Sequence, residues 1–84
     1  FMIVFDPDKD KANIAKHGVS LARASDLILL ARIVDERYSE PRFRAYGTID
    51  GVFYCLAYTI RDDKVRVISL RRAHQKEIRR YANH

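Results

Sequence analysis

The dipeptide Asp50-Gly51 restricts the possible folds of this chain more than any other feature. It separates two runs that are rich in β-branched and aromatic residues, Phe43–Ile49 and Val52–Ile60. An Asp-Gly pair fits the tight turn whose two central residues both have positive φ, and this turn joins antiparallel strands. The sequence therefore predicts a β-hairpin over these two runs.

Three further segments are predicted to be strands. The short apolar run Met2–Phe5 is the first of them and stops at Asp6-Pro7. Ile33–Tyr38 is a weaker candidate. Val65–Arg71 follows a turn at Asp62-Asp63 and is the last strand. We therefore expect an antiparallel sheet of three or four strands in addition to the short N-terminal strand.

Side chains of a strand point alternately to its two faces, so the alternation predicts which residues lie together. One face of the strand before Asp50 is expected to carry Arg42, Arg44 and Tyr46, and the other to carry Phe43, Ala45 and Gly47. In the last strand, one predicted face consists of Val65, Val67, Ser69 and Arg71, and the other of Arg66, Ile68 and Leu70. Arg71 is thus expected at the carboxyl end of a strand, where a polar group can leave the core and meet a ligand.

Two helices are predicted between the first strand and the sheet. Either Asp6 or Asp8 can cap the first helix, which is expected to end at His17 because Gly18 supplies a left-handed stop. Ser20 is expected to open the second helix. The apolar face of this second helix is predicted from helical spacing to contain Leu21, Ala24, Leu27, Ile28 and Ala31.

A closing helix is predicted over Ala73–Asn83, so the chain is expected to form one α+β domain over residues 2–84, with helices packed against a sheet. Phe1 precedes the methionine and is interpreted as a cloning remnant. The N-terminus lacks the layout of a secretion signal, and no apolar run approaches the roughly 20 residues that span a bilayer, which predicts a cytoplasmic protein without a membrane partner. The single cysteine, Cys55, lies in an apolar strand and is expected to be a buried structural thiol.

Positive charge is concentrated near the C-terminus. Residues 1–60 carry eight Lys or Arg and eight Asp or Glu, so the whole net charge of +5 comes from residues 61–84. On the closing helix, a basic stripe is predicted to contain Arg72, Lys76, Arg79, Arg80 and Asn83. Charge gathered on one side attracts a polyanion, although a solvated helix face would give the same pattern.

The chain resembles the BrnT toxins of the BrnT/BrnA toxin–antitoxin systems over nearly its whole length. An opening pattern of Phe5-Asp6-Pro7, Asn13 and Lys16-His17-Gly18 is similar to that of the family, with Phe5 where the family usually has tryptophan. Arg42 and Gly47 match an Arg and a Gly of its hairpin. The closing pattern contains Arg66-Val67-Ile68-Ser69-Leu70-Arg71, Ala73, Glu77 and Tyr81, with Leu70 where alanine is common. Both departures are apolar and concern local packing.

This resemblance implies a RelE-like fold and a ribonuclease activity that arrests translation. It also implies a BrnA-like antitoxin, encoded beside the toxin, that neutralises it. The toxin–antitoxin complex would bind promoter DNA through the antitoxin.

The residue types favour RNA cleavage without a metal or another cofactor. The acidic residues are scattered, and Asp62-Asp63 reads as an exposed turn rather than a magnesium site. Arg71, Arg42 and Arg66 are the candidates for holding phosphate oxygens while negative charge develops. A structural ion pair with Glu77 is the alternative role of Arg71.

His74 is the candidate for proton transfer, because it follows Arg71 at the start of the closing helix. His17 is interpreted as a cation at a helix C-terminus, His84 as a terminal residue without a role, and Ser69 as a strand hydroxyl. The candidate RNA-binding residues are basic or aromatic: Arg44, Arg72, Lys76, Arg79, Arg80, Tyr46, Tyr58 and Tyr81. A non-catalytic module that binds nucleic acid or protein remains the alternative, while the three widely spaced glycines give no support for a nucleotide-binding loop.

Overall fold

The computed structural model of the protein describes residues 2–82. It contains five strands and three helices: β1 (Met2–Val4), α1 (Pro7–His17), a 3₁₀ helix (Leu21–Asp26), β2 (Ile28–Asp35), β3 (Arg42–Ile49), β4 (Val52–Arg61), β5 (Lys64–Arg72) and α2 (Gln75–Tyr81). The expectations for Phe1, for the end of the closing helix at Asn83 and for His84 fall outside the described residues. None of the helices within residues 2–82 has the length and apolar character needed to cross a membrane.

The strands form one mixed sheet in the order β1-β5-β4-β3-β2. The three pairs formed among strands β2 to β5 are antiparallel, whereas β1 pairs with β5 in parallel. The expected α+β class is confirmed, and the sheet has four antiparallel strands together with the short N-terminal strand, which pairs in parallel. Both predicted turns are present: Asp50 and Gly51 have φ of 51° and 79°, and Asp62 and Asp63 have φ of 51° and 59°.

Helix α1 has the predicted ends. The carboxylate of Asp6 accepts a hydrogen bond from the backbone N–H of Asp8 at 3.2 Å, so Asp6 is the N-cap. At the other end, Gly18 has a φ of 71° and donates its N–H to the carbonyl of Ile14. This left-handed stop turns the chain back toward the sheet.

The predicted second helix is wrong beyond Asp26. Ser20 caps a short 3₁₀ helix that ends there, and Ile28–Asp35 is strand β2, paired with β3. The apolar run that suggested a helix face suits a strand equally well, and the backbone of β3 offers it a ladder of hydrogen bonds. The weaker strand candidate Ile33–Tyr38 therefore overlaps the end of β2 and misses its beginning. The closing helix likewise begins at Gln75 and not at Ala73.

The core lies between the 3₁₀ helix and one face of the sheet. Its buried residues are Leu21, Ala24, Ala45, Ile49, Leu56, Tyr58, Val67 and Leu70. Val67 and Leu70 are both in this core because the register between β4 and β5 shifts at Ile68. The expected alternation in the last strand is therefore wrong after Ile68, and Ser69 lies on the face opposite the core, with Arg71.

Asn13 attaches α1 to the outer edge of β5. Strand β1 pairs with β5 from Lys64 to Arg66, so another group must satisfy the backbone beyond that point. The amide of Asn13 donates to the carbonyl of Leu70 at 2.8 Å and accepts from its N–H at 3.2 Å. It also donates to the carbonyl of Val19. Asn13 is buried, and its amide satisfies the backbone groups that a neighbouring strand would otherwise bind.

Gly47 allows β2 to lie against β3. A Cβ atom at this position would overlap the backbone carbonyl of Ile28. Because the obstacle is backbone, a larger side chain can fit only if the edge strand moves. Gly47 therefore determines how closely the strand that begins at Ile28 approaches the hairpin.

We expect Gly47→Ala to lower the free energy of unfolding by about 1–3 kcal/mol, the usual cost of overpacking. Urea denaturation of the variant and the wild type measures this loss. Thr48→Ala is the matched control, because Thr48 is half-buried on the opposite face of β3. Equal losses for the two variants would contradict the close approach at Gly47.

Candidate active site

A polar groove crosses the sheet face that lies opposite the core. Its outer part, about 360 Å³, contains Arg42 and Arg66, and its central part, about 220 Å³, contains Arg42, Arg44 and Arg71. The inner part, also about 360 Å³, is lined by Arg44, Tyr46, Lys76, Glu77, Arg80 and Tyr81, together with Ile33. Arg42 lines the first two parts and Arg44 the last two, so the three cavities form one arginine groove.

Strand register explains why arginines gather at the centre of the arginine groove. Ala57 of β4 lies between Arg44 of β3 and Ser69 of β5, and Cys55 lies between Tyr46 and Arg71. The small side chains on β4 leave a floor over which the longer side chains of β3 and β5 meet. Cys55 is buried there, and burial raises the pKa of its thiol.

Glu77 joins α2 to the groove. Its carboxylate accepts hydrogen bonds from Arg71 at 2.8 and 3.0 Å, from the hydroxyl of Tyr46 at 2.6 Å and from the backbone N–H of His74 at 2.7 Å. Burial would raise the pKa of Glu77, but these hydrogen bonds outweigh it and lower the pKa to about 2. The structural ion pair that was the alternative role of Arg71 is therefore present.

The ion pair leaves Arg71 with unused donors and little net charge. Two of its N–H groups point to Glu77, and Nη1 also donates to the carbonyl of Arg72 at 3.1 Å. A guanidinium has five N–H groups, so two remain for a ligand. Much of the positive charge available at the centre of the groove thus comes from Arg42 and Arg44, which form no ion pair within residues 2–82.

Arg42 and Arg44 are held by aromatic neighbours. The Cζ atom of Arg42 lies 3.8 Å from the ring centroid of Tyr38, a cation–π contact. Arg44 donates to the hydroxyl of Tyr46 at 3.3 Å, while its buried Nε–H has no acceptor in the described part of the chain. A buried donor without an acceptor is costly, so the position of Arg44 depends on its other contacts.

The candidate tyrosines separate into two groups. Tyr46 and Tyr81 stack with ring centroids 4.3 Å apart at the inner end of the groove, and burial followed by the hydrogen bond to Glu77 raises the pKa of Tyr46. Tyr58 instead stacks on Phe43 in the core, on the other face of the sheet. This burial separates Tyr58 from the groove, so it is not placed to contact RNA there.

Three other candidates lie away from the groove. Arg72 and Arg79 are exposed and do not line it. The side chain of His74 is 72 % exposed at the N-cap of α2, with Nδ1 3.6 Å from the Glu77 carboxylate. The predicted basic stripe is thus divided, because Lys76 and Arg80 face the groove whereas Arg72 belongs to β5.

Tyr38, Arg37 and Asp35 were missed by sequence reasoning. Asp35 accepts a two-point hydrogen bond from Arg37, which lowers the pKa of Asp35 to about 2, and all three residues line the central part of the groove. The available signal was an Arg-Tyr pair after a strand, which is weak. Within residues 2–82, no group of three or more His, Cys, Asp or Glu side chains is arranged to hold a metal ion.

A basic α+β domain with an arginine-lined groove is typical of proteins that contact phosphate backbones. A family model described as "Ribonuclease toxin, BrnT, of type II toxin-antitoxin system" matches residues 5–77. The chain therefore belongs to the BrnT family of ribonuclease toxins, which confirms the resemblance seen in its sequence.

A solved structure agrees with this assignment. The crystal structure of the Brucella abortus ribonuclease toxin BrnT, determined at 1.1 Å resolution, is 30% identical to this chain with a TM-score of 0.67. The match covers 89% of this chain and 100% of the Brucella chain. A search of curated proteins gives no match.

Acidification is expected to remove the stability that Glu77 contributes. The pKa of this carboxyl is about 2 in the folded protein against a usual 4.5, so its contribution is complete above pH 4.5 and is lost as the pH falls toward 2. Glu77→Gln should lower the free energy of unfolding by about 1–3 kcal/mol at pH 7 and flatten its pH dependence in this range.

Urea denaturation at several pH values between 2 and 7 measures both effects. Glu36→Gln is the control, because Glu36 is exposed in the loop between β2 and β3. If Glu77→Gln keeps the wild-type pH dependence, Glu77 does not act as the ionised partner of Arg71.

Proposed function

We propose that this protein is a metal-independent endoribonuclease that inhibits translation by cleaving RNA. The observation that carries the proposal is the convergence of Arg42, Arg44 and Arg71 around one cavity of about 220 Å³ in a member of the BrnT family. A phosphate placed there meets several guanidinium groups at once. We further propose that the fold is a variant of the RelE-like fold, as the family resemblance implies.

Cleavage by the adjacent 2′-hydroxyl needs stabilisation of the negative charge that develops on the phosphate. Guanidinium groups supply this as planar, forked hydrogen-bond donors whose contacts strengthen as charge accumulates. Arg42 and Arg44 are proposed to supply much of the charge, and Arg71 to supply donors that Glu77 holds in place. Arg66 is proposed to bind a neighbouring phosphate at the outer end of the groove.

The rest of the arginine groove is proposed to bind the RNA strand on either side of the cleavage position. Lys76 and Arg80 offer phosphate contacts at the inner end, and Tyr81, stacked on the buried Tyr46, offers a surface for a base. The prediction that Arg72 and Arg79 bind RNA stays a prediction. From outside the groove they would attract the RNA over a longer range. His74 also stays a prediction, although its exposed position beyond Glu77 does not favour a role in proton transfer.

The partner is proposed to be a BrnA-like antitoxin whose complex with the toxin binds promoter DNA. Strand β2 is one of the two outer strands of the described sheet, and it exposes Ile28, Leu29, Leu30 and Val34. A segment of the antitoxin that pairs with this edge would cover these side chains and extend acidic residues toward the groove.

We expect the toxin to co-purify with the product of an adjacent gene, and Leu29→Asp to weaken the complex. The substitution puts a charge into the apolar contact, whereas Lys11→Asp, on exposed α1, should leave the complex intact. Co-purification from cells that express both proteins measures this. Failure of the wild-type proteins to associate would contradict the proposed partner.

A non-catalytic RNA-binding module is the second candidate function. The ion pair between Arg71 and Glu77 favours it, because a guanidinium already engaged by a carboxylate offers less to a transition state. The two candidates differ in whether a phosphodiester bond breaks when RNA occupies the groove.

The test is incubation of RNA with the purified protein, in EDTA and with added Mg²⁺. We expect cleavage in EDTA. Arg71→Lys keeps the charge but loses the planar fork, so single-turnover cleavage should fall about tenfold or more while RNA affinity changes little. Lys11→Ala, exposed on α1 and outside the groove, is the matched control for unchanged cleavage.

Arg80→Ala separates binding from catalysis. This variant should bind RNA more weakly with a salt dependence reduced by roughly 0.7 units of slope, and should cleave at nearly the wild-type rate once saturated. Cleavage that disappears in EDTA and returns with Mg²⁺ would overturn the metal-independent mechanism. Folded protein that binds RNA but leaves it intact, both free and on translating ribosomes, would favour the binding module.

A further inference from the structure

A fourth cavity opens beside the central part of the arginine groove. It has a volume of about 240 Å³ and is lined by Lys9, Ala12, Asn13, Lys16, His17, Ile68 and Ser69. Ile68 and Ser69 also line the central part of the groove, where Arg71 lies. His17 therefore lines a cavity that shares two wall residues with the part of the groove where the proposed phosphate meets the guanidinium groups.

Asn13 fixes this placement of His17. The two residues are four positions apart in α1 and so lie on the same face of the helix. Asn13 is hydrogen-bonded to both backbone groups of Leu70, the residue between Ser69 and Arg71 in β5. The end of α1 that carries His17 is thereby held against the segment of β5 that forms the floor of the groove.

The surroundings of His17 favour its neutral form. Burial lowers the pKa of the imidazole, and the positive charge of Lys16 lowers it further. Arg71 acts in the same direction with a smaller effect, which its ion pair with Glu77 partly offsets. Lys9 is a second lysine that lines the same cavity. Asp10, the acidic residue of α1 closest to His17 in sequence, accepts hydrogen bonds from the Ser20 hydroxyl and the Leu21 N–H instead. This direction of the pKa shift is opposite to the one expected for a cation at a helix C-terminus.

We propose that His17 is the general base of the RNA cleavage described above, a role that rests on the proposed function. An imidazole nitrogen accepts the proton of the 2′-hydroxyl, the 2′-oxygen forms a bond to phosphorus, and the bond from phosphorus to the 5′-oxygen breaks. The leaving oxygen takes a proton from water, and the hydroxide formed takes the proton back from the imidazolium, which regenerates water and the neutral base. The products are a 2′,3′-cyclic phosphate and a 5′-hydroxyl, with no change in oxidation state.

Single-turnover cleavage at saturating RNA, measured from pH 5 to 9, tests the role. In the wild type, the rate should rise with pH through a midpoint below 6.5, because the base must be neutral. His17→Gln should lower the rate by about 10²–10⁴-fold and remove this rise. Its affinity for a non-cleavable 2′-deoxy analogue should be unchanged.

Lys16→Gln gives a second, independent measurement. Lys16 is exposed, and its removal takes away a charge that holds the pKa of His17 down, so the midpoint of the pH profile should move upward. The imidazole titration of His17, followed by NMR in the wild type and in Lys16→Gln, should show the same midpoint and the same shift. The pH profile and the NMR titration of the wild type and Lys16→Gln test the role of His17 even if His17→Gln does not fold.

The outcomes separate the two proposals. If the wild-type protein cleaves RNA and His17→Gln keeps both the rate and the pH profile, the role of His17 is wrong and the proposed function stands. The role is also wrong if His74→Gln, and not His17→Gln, removes the rise with pH, or if Lys16→Gln leaves the midpoint unmoved. If the folded wild type cleaves no RNA, the proposed function and the role of His17 are both overturned.

Discussion

The site depends on the hydrogen bonds between one buried amide and the edge of a strand. Asn13 satisfies both backbone groups of Leu70 where β1 no longer covers β5. Leaving such groups unsatisfied costs about 1–3 kcal/mol each, so α1 is held firmly to β5. The same contact determines where His17 lies, and Leu70 in the core faces away from Arg71 in the groove. One side chain thus couples the packing of α1 to the geometry of the proposed chemistry.

Glu77 has the corresponding role on the other side of the groove, but it also reduces the charge there. By pairing with Arg71 it gives α2 a fixed position and removes one net positive charge from the centre of the site. Arg42 and Arg44 then supply more of the proposed attraction for phosphate, whereas Arg71 would orient the phosphate through its remaining N–H donors. Proposed binding and proposed catalysis are therefore assigned to different arginines, although all three line the same cavity.

Much of the fold was predictable because local signals and tertiary contacts agreed. Both turns, the ends of α1 and the central hairpin follow from residues that restrict the backbone, such as Asp50-Gly51 and Gly18. The prediction of a helix through Ile28 was wrong because an apolar run of that spacing suits a strand as well. Pairing with β3 stabilises the strand. The prediction of which β5 side chains share a face was wrong after Ile68. One extra residue in a strand leaves no signal in an alternating sequence pattern.

The candidate site was predictable in its composition and less so in its geometry. Arg42 and Arg71 are indicated by their residue type and by the family resemblance, Arg44 by its residue type and strand position, and the sheet brings the three together. His74 was preferred over His17 because it is closer to Arg71 in sequence, but distance along the chain says little about distance across a sheet edge. The pairing of Asn13 with Leu70, 57 residues apart, is what brings α1 to this site. A long-range contact of that kind needs the folded backbone, so the imidazole beside the groove could be identified only from the structure.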